Sequence, residues 1–507
     1  MMTGDRSPAD QADIAAFLSD PATHGGAGVE RIDTHGSMVF LTGSRVYKLK
    51  RAVRFPYMDY GTPAKRAAAC EAEVRLNRRM APTLYLGVAP ILRGKEGGLF
   101  LGPVTGTARG EAEDWVVVMA RVDQDDLFDR MAGRGALDAG LMRRLADAVA
   151  EFHSSAERFT DRGGQAAMRW VVDDNVAELG ERPDLFEPSR LAELAGRSRA
   201  ALDRHASLLD RRRDGGMVRF CHGDLHLRNI CLADGQPTLF DCIEFNDDIA
   251  IIDVLYDQAF LLMDLEHRGL RPLANALFNR MVELTGDIDG LALLPLFLST
   301  RAAVRAKVEA SAGKERSARD YFDHALRAID PPGPKLVAVG GLSGSGKTTA
   351  ARALAPDIGP APGAVVLRSD VLRKELHGVA ETDRLPPDAY TPEMTRRVYA
   401  ELVDRARRVL AAGHGVVVDA VHARIEERQA LEDLAHGSGV PFRGVWLEAD
   451  PETLVARVKS RTGDASDADE NVVRRQLTYD VGQISWPRIV YQIDDNTEMS
   501  KLKQIIT

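Results

Sequence analysis

The pattern of apolar and polar positions changes character along the chain. Ser37 to Leu41 and Arg45 to Lys50 alternate with period two and read as a hairpin with Gly43 in its turn. In the second of these strands Lys48 and Lys50 share a face. Ala64 to Met80 carries a helical period that puts Glu73, Leu76 and Met80 on one side at i, i+3 and i+7. Val116 to Met119 reads as a buried strand, Leu141 to His153 as a long core helix, and Met168 to Leu209 and Ile252 to Val308 as helical segments. Beyond DPPGPK at 330–335, which can continue neither helix nor central strand, the pattern becomes a strict alternation. Strands are predicted at Leu336–Val339, Ala364–Leu367, Val416–Val418, Val445–Leu447 and Ile489–Ile493, with helices at Thr349–Leu354, Val371–Leu376, Tyr390–Leu410 and Pro451–Arg461 between them. Such alternation predicts a parallel sheet covered by helices.

Composition narrows the class. At 507 residues the chain exceeds the size of a single core, so several domains are expected. Hydrophobic content of 45% and charged content of 28% describe an ordinary globular protein, and a net charge of −9 gives no global reason to bind nucleic acid. The four cysteines, Cys70, Cys221, Cys231 and Cys242, lack C-x-x-C spacing and suit reduced thiols. The N-terminal stretch has no signal-peptide core, and Leu291 to Leu298 is too short to span a bilayer. The expectation is a cytoplasmic protein without a membrane segment.

Residues 341–348 read GLSGSGKT, a match to G-x-x-x-x-G-K-[ST] between a predicted strand and a predicted helix. Gly341, Ser343, Gly344, Ser345 and Gly346 would wrap phosphates with backbone N–H groups, and Thr349 opens the helix behind them. Lys347 would reach the β and γ phosphates of ATP and Thr348 would ligate Mg²⁺. Asp370 follows a strand end, where ligands gather in parallel sheets. Its D-x-x-R spacing with Arg373 resembles that of polynucleotide kinases and related small P-loop kinases. That resemblance implies that Asp370 orients or deprotonates an acceptor hydroxyl and that Arg373 holds a substrate phosphate; an N-cap role for Asp370 is compatible with it. Val416 to Asp419 resembles the Walker B strand, whose carboxylate, Asp419, joins the Mg²⁺ shell. Arg457 and Arg461, at i and i+4, resemble the arginines of a small-molecule kinase lid, and Arg474 joins them as a further candidate.

In the first half, HGDLHLRNI at 222–230 is followed by FDCIEF at 240–245. The pair resembles the catalytic loop and metal-binding segment of the aminoglycoside phosphotransferase family. The resemblance implies Asp224 as catalytic base, Asn229 and Asp241 as Mg²⁺ ligands, and His222 as a support of the loop; His226 reads equally as a packing residue or a neighbour of substrate. Phosphoryl transfer needs little else of the protein than a proton acceptor and ligands that hold the metal and nucleotide. Lys48 resembles the family's ATP-contacting lysine, with Glu73 as preferred partner and Glu71 as alternative. Val116 to Met119 looks like the hinge that receives adenine, with Met119 at its end. Trp170, Asp173, Asp174, Asp257 and Asp264 lie in the substrate-selecting helices, where they would line an acidic cleft or stand as surface carboxylates.

The resulting expectation is a multidomain α/β and α+β protein. Residues 1–30 form a helical extension, 31–330 a bilobal protein-kinase-like fold of the aminoglycoside phosphotransferase type, and 335–507 a three-layer P-loop fold. Each half would use ATP and Mg²⁺ to phosphorylate a hydroxyl of a small molecule. A nucleic-acid 5′-hydroxyl is an alternative acceptor for the second half, and a regulatory ATPase that gates its neighbour is an alternative role.

Overall fold

The computed structural model describes residues 11–55, 58–460, 464–491 and 496–506. The chain forms two compact units, one of residues 1–168 and 206–264, the other of 169–205 and 265–507.

In the first unit, the predicted hairpin is the centre of a six-stranded antiparallel sheet. From edge to edge the strands are Glu30–Asp33, Ser37–Leu41, Arg45–Lys50, Asp114–Ala120, Tyr85–Arg93 and Leu99–Leu101. Side-chain alternation sorts the core into two faces. Val116 and Val118 join Phe40, Leu49 and Ile91 under Ile14 and Leu18 of the helix Ala12–Ser19, while Trp115 and Val117 join Tyr85 and Val88 under Cys70 and Val74. Those last two belong to the helix Pro63–Asn77, which starts with Pro63 in its first turn and Thr62 as N-cap, its hydroxyl accepting from the Lys65 N–H at 3.3 Å. Below the sheet, the two-stranded hairpin Ile230–Ala233 and Gln236–Leu239 separates the two segments that carry HGDLHLRN and DCIEF.

In the second unit, five parallel strands lie in the order Val365–Arg368, Val416–Asp419, Leu336–Gly341, Phe442–Glu448, Arg488–Val490. One face is filled by Val337, Val339, Val417, Val445 and Leu447 against Ala350 and Leu354 of the helix Lys347–Leu354 and Leu502 and Ile506 of the helix Asn496–Ile506. The helix Pro392–Ala411 packs against the strands Val365–Arg368 and Val416–Asp419, and the helix Ile425–Gly437 against Leu336–Gly341 and Phe442–Glu448. Strands buried on both sides read as continuous apolar runs, which is why Val416–Val418 and Leu336–Val339 were visible in the sequence. Most element bounds shift by one to three residues from expectation, and three of the shifts change how a residue is placed. The helix after the first edge strand starts at Ser369 with Arg368 at its N-cap and no side-chain cap bond, so Asp370 lies in the first turn and caps nothing. Tyr390 belongs to a separate short turn, Pro387–Tyr390, before the helix Pro392–Ala411. The last strand is Arg488–Val490, and residues 492 and 493 lie outside the described residues.

Candidate active sites

The site of the first unit is assembled by four elements. Lys48 Nζ lies 2.9 Å from Glu73 Oε1 and also contacts Asp241 Oδ1. Glu73 is fully buried; burial would raise its carboxyl, but Lys48 and then Lys50 outweigh that and hold it down to about 2. The ammonium of Lys48 is correspondingly raised, Asp241 and Glu73 overcoming the burial that would lower it. Glu71 faces elsewhere, its carboxylate accepting the Ala108 N–H. Asp241 has φ +61°, a left-handed backbone uncommon outside glycine. Two bonds hold that turn: its N–H donates to Tyr85 Oη at 3.1 Å, and the Cys242 N–H donates to Asn77 Oδ1 at 3.0 Å.

The loop 222–229 is equally tied down. Asp224 Oδ2 accepts from Asn229 Nδ2 at 2.9 Å and lies 3.3 Å from His226 Nε2. His226 is buried, edge-on to the Phe260 ring at 5.3 Å, so it packs the loop and touches the candidate base at once. His222 is fully buried, with Nε2 2.9 Å from the Phe240 carbonyl oxygen; burial lowers its pKa, with Asp257 and Asp224 pulling the other way. The carboxylates proposed for an acidic cleft are committed individually. Asp257 accepts the His222 and Gly223 N–H groups at 3.1 and 2.9 Å and contacts His153 Nε2 at 2.9 Å. Asp264 accepts the Leu227 N–H at 3.1 Å. Both are buried supports of the loop. Asp173 pairs with Arg199 and Asp174 with Lys307, while Trp170 is 57% exposed. Met119 is half-buried in the strand Asp114–Ala120, opposite Val46 and Tyr85. Arg212 is buried and doubly bonded to Asp253 at 2.7 and 2.8 Å.

In the second unit, Gly344 and Gly346 have φ +86° and +92°, and a Cβ at Gly344 would sit 2.5 Å from the Leu454 carbonyl oxygen. Only glycine allows this loop to turn in the space it has. Gly341, Ser343, Gly344, Ser345 and Gly346 thus lead from the strand Leu336–Gly341 into the helix Lys347–Leu354, whose first-turn N–H groups have no acceptor within the helix and suit an anion. Lys347 Nζ donates to the Leu342 carbonyl at 2.9 Å, Thr348 Oγ1 donates to Asp419 Oδ2 at 2.6 Å, and Thr349 is exposed at the helix start. A hydroxyl paired with a buried carboxylate beside a glycine cradle suits a divalent cation and a polyphosphate.

The arginines are placed differently from expectation. Arg373 is buried, donates to the Ala389 carbonyl at 2.8 Å and stacks 4.9 Å from the Tyr390 ring centroid. Arg457 reaches the Gly344 and Tyr491 carbonyls at 3.3 and 3.2 Å, against the phosphate loop. Arg461 lies outside the described residues, and Arg474 pairs with Glu470 at the surface. Three further polar residues of this unit, Arg368, Asp467 and Gln476, carry no mark in the sequence. Arg368, 5% exposed, lies 2.8 Å from Asp464 and 3.6 Å from Asp419; these carboxylates overcome burial and raise its pKa. Asp467 accepts from Lys374 at 3.1 Å, the Leu385 N–H at 3.0 Å and Tyr390 Oη at 2.6 Å. Gln476 Oε1 accepts the Ser343 N–H of the phosphate loop at 2.8 Å.

Both folds, and the sites they carry, define a kinase-type phosphotransferase: a protein-kinase-like unit and a P-loop three-layer unit in one chain. Residues 37–293 match the family model described as the phosphotransferase enzyme family, and 336–479 match one described as an AAA domain. An uncharacterised protein of Mycobacterium tuberculosis is 31% identical over 476 residues, 89% of this chain and 90% of its own. A shikimate kinase of Gloeobacter violaceus is 36% identical over 125 residues, 24% of this chain and 61% of its own. Among solved structures, a choline/ethanolamine kinase family protein from Mesorhizobium loti matches at 16% identity and TM-score 0.36, covering 64% of this chain and 99% of its own. The chain belongs to the phosphotransferase enzyme family and joins that domain to a P-loop kinase-type domain.

Proposed function

We propose that each half binds ATP with Mg²⁺ and transfers the γ-phosphoryl group to a hydroxyl of a small molecule, the halves being residues 31–330 and 335–507. The observation that carries the reading is the convergence of Lys48, Glu73 and Asp241 in the unit that also sets Asn229 on Asp224. Lys48 holds phosphate oxygens, Asn229 and Asp241 hold the cation, and Asp224 accepts the hydroxyl proton as the new bond forms. When bound, the cation neutralises developing phosphate charge. In the second half Lys347 takes the phosphate role, Thr348 and Asp419 the metal role, and Asp370 the proton.

A small acceptor is favoured over a nucleic-acid end in the second half. A duplex or strand end needs an open basic groove. Here Arg368, Arg373 and Lys374 are all buried, and the segment beside them supplies carboxylates, Asp464 and Asp467, in place of free cations. No described helix is long and apolar enough to cross a membrane. The four cysteines are buried thiols outside any disulfide, which supports a reducing, cytoplasmic setting.

The test is ATP consumption against sugars, polyols, aminoglycosides, nucleosides and 5′-hydroxyl oligonucleotides, run on wild type, Asp224→Ala and Lys347→Ala. Each substitution is expected to abolish turnover of a different small acceptor and leave the other. Loss of one and the same acceptor in both variants, or oligonucleotide phosphorylation that disappears with Lys347→Ala, would refute the reading.

A further inference from the structure

Lys50 is the feature of the first site that the reaction, as described, leaves without a task. It ends the strand Arg45–Lys50, is 1% exposed, and lies two residues from Lys48 on the same face. A lysine is almost never fully buried unless paired. This one has two carboxylates: its Nζ is 2.5 Å from Glu73 Oε2 and in contact with Glu244 Oε1. Tyr60 Oη donates to the same Glu244 oxygen at 2.6 Å, and the Lys50 ammonium lies 5.3 Å from the Tyr60 ring centroid. The backbone is fixed as well, because Gln11 Nε2 donates to the Lys50 carbonyl at 3.0 Å.

Taken together the contacts close a ring. Lys48 and Lys50 come from one strand, Asp241 and Glu244 from one segment, and Glu73 stands between them with one oxygen on each lysine. Charges alternate along the run Asp241, Lys48, Glu73, Lys50 and Glu244, three carboxylates against two ammonium groups, and the backbone 241–244 closes the ring. The two sides differ in exposure: the Asp241 side chain is 40% exposed, whereas Glu244 is 5% exposed. The Lys48–Asp241 side therefore opens to whatever occupies the cleft, and the Lys50–Glu244 side is sealed. A sealed pair in a low-dielectric setting is strongly destabilised when one partner is removed, and contributes fixed geometry more than net stability.

We propose that Lys50 is a positioning residue of the first phosphotransfer centre: through Glu244 it anchors the 241–244 segment to the strand, and through Glu73 it fixes the carboxylate that orients Lys48. The pair leaves Lys48 and Asp241 available to ligands while the backbone that bears Asp241 stays docked. This rests on the roles proposed above for Lys48 and Asp241.

The test uses the full chain carrying Lys347→Ala, so that ADP release from ATP with water as acceptor reports the first centre. Lys50→Met is expected to lower kcat at least about tenfold while the Kd for AMPPNP, measured by calorimetry, stays within about twofold, the signature of lost positioning rather than lost binding. Glu244→Gln, which preserves volume, is expected to show the same split, and the double variant is expected to lose no more than the larger single loss, since both act on one contact. A folded Lys50→Met protein with kcat within about twofold of its parent overturns the proposal, as does a fall in AMPPNP affinity equal to the fall in kcat. If thermal melting shows Lys50→Met unfolded, Glu244→Gln decides by the same two criteria. Lys48→Met and Asp241→Asn separate the failures: ADP release that survives them removes the reading of the centre itself, whereas their inactivity beside an active Lys50→Met removes Lys50 alone.

Discussion

His414 shows how one side chain sets a condition on stability. It precedes the strand Val416–Asp419, is fully buried, and its ring lies 5.3 Å from that of Phe278. Burial pushes its imidazole down to about 4, the Ala361 carbonyl pulling only partly back. Unfolded, the same ring titrates near 6.5. Between those values the unfolded chain binds a proton that the folded chain does not, so stability rises with pH across the window and is lost on acidification. His422, pushed by burial to about 3, adds in the same direction. Scanning calorimetry of the full chain is expected to show the second unit's transition moving to lower temperature between pH 7 and pH 5. His414→Phe, which keeps the packing against Phe278, is expected to remove about 2 kcal/mol of that loss. An equal shift in wild type and variant would show that His414 has no part in it.

Among the elements, the segment 464–476 of the second unit behaves as a clasp. Asp467 ties together the helix Ser369–Leu376, through Lys374, and the stretch 385–390, through Leu385 and Tyr390. Lys374 is 1% exposed, so Asp467→Ala would leave an uncompensated buried ammonium at a cost of about 3 kcal/mol. The variant is expected to lower the second unit's melting transition and to expose 380–390 and 464–469 to limited proteolysis; an unchanged transition and digest would show that the clasp is idle. This clasp also marks the border of what the sequence discloses. The hairpin 37–50, the helix holding Glu73 and the parallel strands were legible because local periodicity encodes them; Lys48 was singled out by the family resemblance, and the helical face shared with Leu76 and Met80 favoured Glu73 over Glu71 as its partner. Asp467, Gln476, Lys50 and Glu244 carry no such mark, since each finds its partner across a large sequence separation, 194 residues for Lys50 and Glu244. The family resemblance suggested an acidic cleft in the substrate-selecting helices, and the D-x-x-R resemblance a substrate-phosphate contact for Arg373. Asp257 and Asp264 instead accept backbone N–H groups of the 222–229 loop, and Arg373 is held inside by a carbonyl and a ring, because a buried charge takes the nearest complementary group.

For the molecule as a whole, the proline-marked seam at 330–335 separates two catalytic motifs but not two packing units. The helix Arg271–Thr285, which precedes the seam, lies along the edge strand Val365–Arg368 and supplies its missing ladder partners. Asn279 Oδ1 accepts the Val366 N–H at 2.7 Å, and Asn275 and Asn279 Nδ2 both donate to the Ala364 carbonyl at 3.1 Å. Arg280 adds a 3.3 Å ion pair to Glu381. An uncovered strand edge is a template for aggregation, and these side chains cover it where no neighbouring strand does. In the full chain, Asn279→Leu leaves a buried N–H without its acceptor and is expected to cost about 2 kcal/mol, read as a lower melting temperature of the second unit. A fragment of 335–507, which lacks the helix altogether, is expected to elute as aggregates in gel filtration and to melt below the same unit in the full chain, whereas a fragment of 265–507 keeps the edge covered and is expected to remain more soluble. A monomeric 335–507 fragment with the full chain's melting temperature would show that the helix merely rests on the strand. The first outcome would mean that the P-loop site depends for its fold on residues that the sequence places with the other kinase.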